Sequence, residues 1–202
     1  MWPAALEPLR QLARTRSASQ VQVVQWRWAG CRDRPDCCLP LQLEVTDGEL
    51  PESVTISSLL PDACFHITVE DYRDGRVLGT VHSIAAFACR HGTRVRGNRQ
   101  LAFVDEIAAL CRVRWARLGD AARVGRRPLA ALHFRRDGRT WYEAHGWAPT
   151  TPDVLTPTAR GPNLARHARR LRREYRAAVR QAGRTSTAQL ARLLPTDMVR
   201  IY

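Results

Sequence analysis

Lysine is missing from this 202-residue chain: all 32 basic residues are arginine. A phosphate loop closed by a lysine is therefore excluded, and with it the usual NTPase chemistry. Two causes fit the absence. Arginine grips phosphate in a bidentate fork, so selection for phosphate binding would favour it. A GC-rich coding sequence would also convert lysine codons throughout. Arginine replaces lysine in every segment and not only in basic clusters, which favours the second cause. Also missing are a Gly-x-Ser-x-Gly elbow and any Cys-x-x-Cys pair, so hydrolase and zinc-finger readings are set aside. No apolar run reaches the ~20 residues needed to span a bilayer. Pro3, Glu7 and Pro8 interrupt the start of the chain, so no secretory leader is read there. The expectation is a soluble intracellular protein, cytoplasmic and neither secreted nor membrane-bound.

What the chain has in excess is positive charge. Its formal net charge is +13 and its isoelectric point near 10.9, a balance that favours phosphate-bearing partners. Hydrophobic residues make up 45% and charged residues 25%, enough apolar content for a real core. Six cysteines are present. Cys89 and Cys111 fall within apolar stretches and read as small buried hydrophobes. Cys31, Cys37 and Cys38 cluster, but no histidine lies close in sequence to complete a zinc site. His66, His82, His91, His133 and His167 are scattered without metal-ligand spacing, so no metal is expected.

Alternation of Val and Trp over residues 20–28 predicts a strand. Further strands are predicted at 41–45, 53–59 and 64–70, forming a meander. Leu78, Val81, Ile84, Ala85, Ala88 and Cys89 recur at three- and four-residue steps, which predicts a helix ended by His91-Gly92. The short apolar run at 100–104 reads as a buried strand ending at Asp105, and 106–118 as a helix. Residues 128–143 fit a helix entered through Pro128, with a break available at Asp137-Gly138. A Thr/Pro-rich linker covers 149–162, and Asn163 would cap a terminal helix. The expected organisation is an α/β domain over 1–150, a linker over 151–162 and a basic helical segment over 163–202.

The most distinctive stretch is Gly138-Arg-Thr-Trp-Tyr-Glu-Ala-His-Gly-Trp-Ala-Pro149. Trp141 and Tyr142 occupy the last turns of a helix, and Gly146 suits the left-handed position beyond its end. Trp147 then opens a strand. Glu143 and His145, close neighbours on the helix, read as solvent-facing. Element order and this aromatic box together resemble the GNAT-like acetyltransferases over roughly residues 41–149. The order is also similar to a group of uncharacterised proteins of large DNA viruses, which implies no activity.

The GNAT resemblance implies an α+β (mixed α/β) fold, a central mostly antiparallel sheet flanked by helices. It implies acetyl-CoA as cofactor and an amine acceptor. Residues 71–79 would form the turn before the helix, where bare backbone N–H groups and the helix dipole receive pyrophosphate. Arg76, Val77, Leu78, Gly79 and Thr80 would line it; Val81 departs from the small residue expected next. Tyr142 would protonate the leaving thiolate, and Glu70 or Asp105 would serve as base. The plainer readings are that Gly79 allows close packing, Tyr142 is a core aromatic, and both carboxylates are solvated ends or caps.

The terminal helix points elsewhere. Leu164, Ala168, Leu171, Tyr175, Ala178 and Val179 form one stripe, and arginines fill most of the remaining surface. Either the helix is docked and merely solvated, or Arg166, Arg169, Arg170, Arg173 and Arg176 contact nucleic-acid phosphates without reading sequence. The alternative to an acetyl-CoA-dependent N-acetyltransferase is thus a non-enzymatic nucleic-acid-binding or virion-associated protein.

Overall fold

A computed structural model describes residues 21–27, 38–46, 52–58, 65–72, 76–84, 97–120, 123–124 and 126–202. The architecture is mixed α+β with mostly antiparallel strand pairing. The chain divides into two compact units, 1–116 and 117–202.

The first unit is built on five strands: β1 (Val21–Arg27), β2 (Cys38–Thr46), β3 (Glu52–Ser58), β4 (Phe65–Asp71) and β5 (Val77–Ile84). Each pairs antiparallel with the next. Alternation decides the faces. Leu41, Leu43, Val54, Ile56, Ile67 and Val69 point to one side and are buried. Thr55 and Thr68 point to the other, their hydroxyls 3.3 Å apart. One apolar face and one polar face is the usual consequence of period-two patterning in an antiparallel sheet.

Two expectations fail in this unit. Residues from Val77 to Ile84 form a strand, not the start of a helix. Their three- and four-residue apolar spacing is real, but Val77, Thr80, Val81 and Ile84 are β-branched. The edge of β4 offers them a hydrogen-bond ladder, interrupted once by a register shift between His66 and Ile67, and it outweighs the local periodicity. Conversely, 100–104 is not a strand. It lies within helix α1 (Gly97–Leu110). Leu101, Val104, Ile107, Ala108 and Cys111 continue a 3.6-residue period that a five-residue window cannot reveal. Helix α1 ends with Arg112 in the left-handed region at φ 54° and the Val113 N–H on the Ala108 carbonyl at 2.8 Å. The helix expected to reach 118 therefore stops early, and β6 (Trp115–Gly119) follows.

The second unit begins in β6. It continues through the hairpin β7 (Arg123–Val124) and β8 (Arg127–Pro128), then α2 (Leu129–Asp137), α3 (Trp141–Ala144) and β9 (Ala148–Thr150). After one 3-10 turn at Pro152–Val154 come α4 (Gly161–Ala182), α5 (Thr187–Leu193) and β10 (Asp197–Ile201). Strands β9 and β10 pair antiparallel, with Pro149 opposite Met198. Because β9 ends the strand order, its proline interrupts no inner ladder.

The break at Gly138 forms as expected, at φ 68°. Gly146 also takes the left-handed position, at φ 85°. Helix α4 starts earlier than expected: Arg160 is its N-cap and Pro162 sits in its first turn, where a missing N–H is harmless. The basic helix is also no appendage. Leu164, Ala168 and Tyr175 are buried in the same unit as the aromatic box. Tyr175 shares a core with Ala130, Ala131, Leu190 and Leu194, and Phe134 packs edge-on against its ring at 5.9 Å.

Candidate functional site

The residues expected to bind and turn over an acyl cofactor are divided between the two units. Arg76 to Thr80 run into and along β5, so they do not themselves open a helix. The Tyr72 N–H donates to the Arg76 carbonyl at 3.0 Å, and the segment closes a hairpin. Gly79 has a packing role instead. A Cβ there would stand 3.1 Å from Ala116 Cβ, so its absence lets the two backbones close up. Glu70 lies near the end of β4, as expected, and accepts from the Tyr72 hydroxyl at 3.3 Å. Asp105 is in the middle of α1 rather than at a strand end. Glu70 and Asp105 belong to the first unit and Tyr142 to the second.

Tyr142 is a core residue, 5% exposed, with Trp141 edge-on at 4.9 Å and Trp147 at 6.4 Å. Burial, with the Asp120 charge adding to it, pushes its phenol well above the ordinary range. Burial does the same to the Cys111 thiol, raised to about 12, so that side chain is an unreactive hydrophobe. Cys31 and Cys37 lie outside the described residues. Among the described residues no group of three or more His, Cys, Asp or Glu could hold a metal. Among them, too, no helix is long and apolar enough to cross a membrane.

The box contributes something the sequence did not disclose. Glu143 is not solvent-facing: its side chain is 3% exposed. It completes a capping box with Thr140, whose hydroxyl accepts the Glu143 N–H while Glu143 Oε2 accepts the Thr140 N–H at 3.0 Å. The same carboxylate reaches across to α4. Arg172 Nε donates to Oε1 at 2.8 Å, and the Tyr175 hydroxyl lies 2.8 Å and 2.9 Å from the two oxygens. Burial pushes the Glu143 carboxyl up, but these hydrogen bonds and the Arg172 charge outweigh it and hold the group below its ordinary value. Tyr175 is pushed up to about 12 by burial and by its bond to Glu143. This knot fixes α4 in rotation about its own axis.

That rotation decides which arginines face water. Leu164, Ala168 and Tyr175 point inward. At about 100° per residue, Arg166, Arg169, Arg170, Arg173 and Arg180 fall within an arc of about 100° on the opposite side, and all five are exposed. Arg172 and Arg176 flank the stripe. Arg172 is held by Glu143, and Arg176 donates to the Gly138 carbonyl at 3.4 Å. Arg176, expected among the phosphate contacts, is thus half-buried and engaged. Arg180 takes its place on the outer face. Arg170 pairs with Glu174 at 3.5 Å, both well exposed. Among the described residues, Arg166, Arg169, Arg173 and Arg180 have no side-chain hydrogen bond or ion pair. The helix is anchored elsewhere by His167 Nε2, 3.1 Å from the Thr151 hydroxyl.

Charge is divided unequally along the chain. Residues 117–202 carry 18 arginines against six carboxylates, whereas 1–116 carry 14 against 13. The second unit therefore holds +12 of the +13. No protein-family model, no curated protein and no solved structure matches the chain.

Proposed function

We propose that the second unit is a nucleic-acid-binding module that holds phosphate backbone without reading base sequence, using the outer arginine face of α4. The single observation that carries this reading is the concentration of charge in one unit, with five arginines on one exposed arc of one helix. Like charges so close repel one another, and a polyanion relieves that repulsion. The apolar side of the helix is already buried, so it is not open for insertion into a lipid interface. Each neutralised phosphate releases counterions, which makes the affinity fall with added salt. Among the described residues, the segment expected to cradle the cofactor lies along β5 and the expected acid is a core aromatic, so neither supports the acyl-transfer reading.

The test is fluorescence anisotropy of the full chain with labelled nucleic acid across a salt series. Arg166→Gln/Arg169→Gln/Arg173→Gln should weaken binding at low salt and flatten the salt dependence, with helix content unchanged. Binding that ignores both salt and this triple substitution would remove the reading.

A further inference from the structure

We infer that the partner of this surface is double-helical rather than single-stranded nucleic acid, gripped through the two walls of one groove. The inference rests on the nucleic-acid reading above and specifies it.

Width is the first argument. Arg169 and Arg170 are consecutive, so on a helix their side chains leave about 100° apart. They form the two shoulders of the arc, with Arg173, Arg166 and Arg180 between. The Arg169 shoulder extends beyond the helix itself. Arg176, next to it around the axis, donates to the carbonyl of Gly138 at 3.4 Å. The next residue in the chain, Arg139, is exposed and without a side-chain partner among the described residues. Other cations nearby are already engaged: Arg135 donates to the Thr185 carbonyl, and Arg136 is paired with Asp137 at 2.8 Å. The unpaired charges thus run from Arg139 across Arg169, Arg180 and Arg173 to Arg166, and the exposed Arg170–Glu174 pair lies beyond them. Such a strip draws on two elements, α4 and the chain just after α2, rather than on one helix with a diameter of about 10–12 Å, and the major groove of B-DNA is about 12 Å wide. A single backbone would engage one edge of the strip and leave the other unneutralised.

Chemistry is the second argument. Single-stranded binders gain much of their affinity by stacking bases on aromatic side chains. Here Trp147, Tyr142 and Tyr175 are buried, and Trp141 is packed between Tyr142 and His145. The one large hydrophobic among the described residues that is exposed is Tyr202, 43% accessible, with the Arg200 guanidinium over its ring. The arginine arc offers charge and no platform. Such a surface suits stacked, paired bases whose phosphates face outward.

The experiment measures binding of the full chain to a duplex, and to a single strand of equal length and mixed sequence, at several salt concentrations. With about five phosphates neutralised, log K against log salt on the duplex should slope by about −4.5, a loss of about 500-fold between 50 and 200 mM salt. The duplex should bind at least tenfold tighter than the single strand. Arg139→Gln and Arg166→Gln, one toward each side of the unpaired strip, should each reduce the duplex slope by about 0.9. Both side chains are exposed, and circular dichroism checks that the fold is kept. Equal or tighter binding of the single strand would overturn the duplex inference while leaving the nucleic-acid reading intact. A duplex slope unmoved by Arg139→Gln would also overturn it, since the grip would then be one-sided. Salt-independent or absent binding to both would remove the two together.

Discussion

Glu143→Ala is the sharpest test of how the second unit holds its binding helix. The substitution removes the acceptor shared by the Thr140 N–H, Arg172 Nε and the Tyr175 hydroxyl. Breaking a buried ion pair from one side costs about 3–5 kcal/mol. Arg172 is 33% exposed and can recover water, which moves its share to the low end. Tyr175 is 7% exposed and cannot, so its hydroxyl loses about 1–3 kcal/mol. Loss of the reciprocal cap adds about 1 kcal/mol. These terms share partners and do not add, so the whole effect should be about 3 kcal/mol. For a unit of this size that lowers the melting temperature by about 12–24 °C. Trp141 and Trp147 flank Glu143 in sequence, so tryptophan fluorescence follows the transition where the change is made. Tyr175→Phe isolates one arm, and the double-mutant cycle should show a coupling of about 1–2 kcal/mol. A loss under about 1 kcal/mol for Glu143→Ala, or a cycle additive within about 0.3 kcal/mol, would refute the claim that this carboxylate fixes α4.

The same knot makes stability depend on pH. The Glu143 carboxyl sits below its ordinary value in the folded state, so its contribution is complete above the ordinary carboxylate range and is lost as pH falls through the folded value. Acid titration of Glu143→Gln should lack that part of the slope. Tyr175 works in the opposite direction: raised from 10.0 to about 12, its contribution holds below 10 and is lost as pH climbs to 12, which chemical denaturation in alkaline buffer would detect. Gly146→Ala places a side chain at φ +85° with its Cβ 2.6 Å from Arg200 Nη1. It should cost about 1–3 kcal/mol in a thermal melt, and an unchanged melt would show that the turn relaxes freely. Gly79→Ala should lower the urea midpoint by the equivalent of about 1 kcal/mol, because its Cβ meets Ala116 Cβ at 3.1 Å. A gain in stability would refute the close contact between Gly79 and Ala116.

The sequence by itself determined the elements whose signals are local. The meander from Val21 to Asp71 followed from period-two alternation, because a strand with one buried face must alternate. Gly138 and Gly146 marked their breaks because few other residues accept positive φ. The Leu164–Ala168–Tyr175 stripe marked the apolar side of a helix, and the structure shows that side buried. Tertiary structure decided what depended on a distant partner. Val77–Ile84 carries helical spacing yet becomes a strand, because β4 supplies a ladder that no window around residue 80 contains. Residues 100–104 carry strand-like apolarity yet lie in a helix, because their burial continues at helical period to Cys111. Glu143 looked solvated, yet it is buried by Arg172 and Tyr175, 29 and 32 residues further on. The arginine count was legible from the start. Which arginines are engaged and which are free was not, since that follows from the rotation of α4, fixed by contacts far apart in the chain.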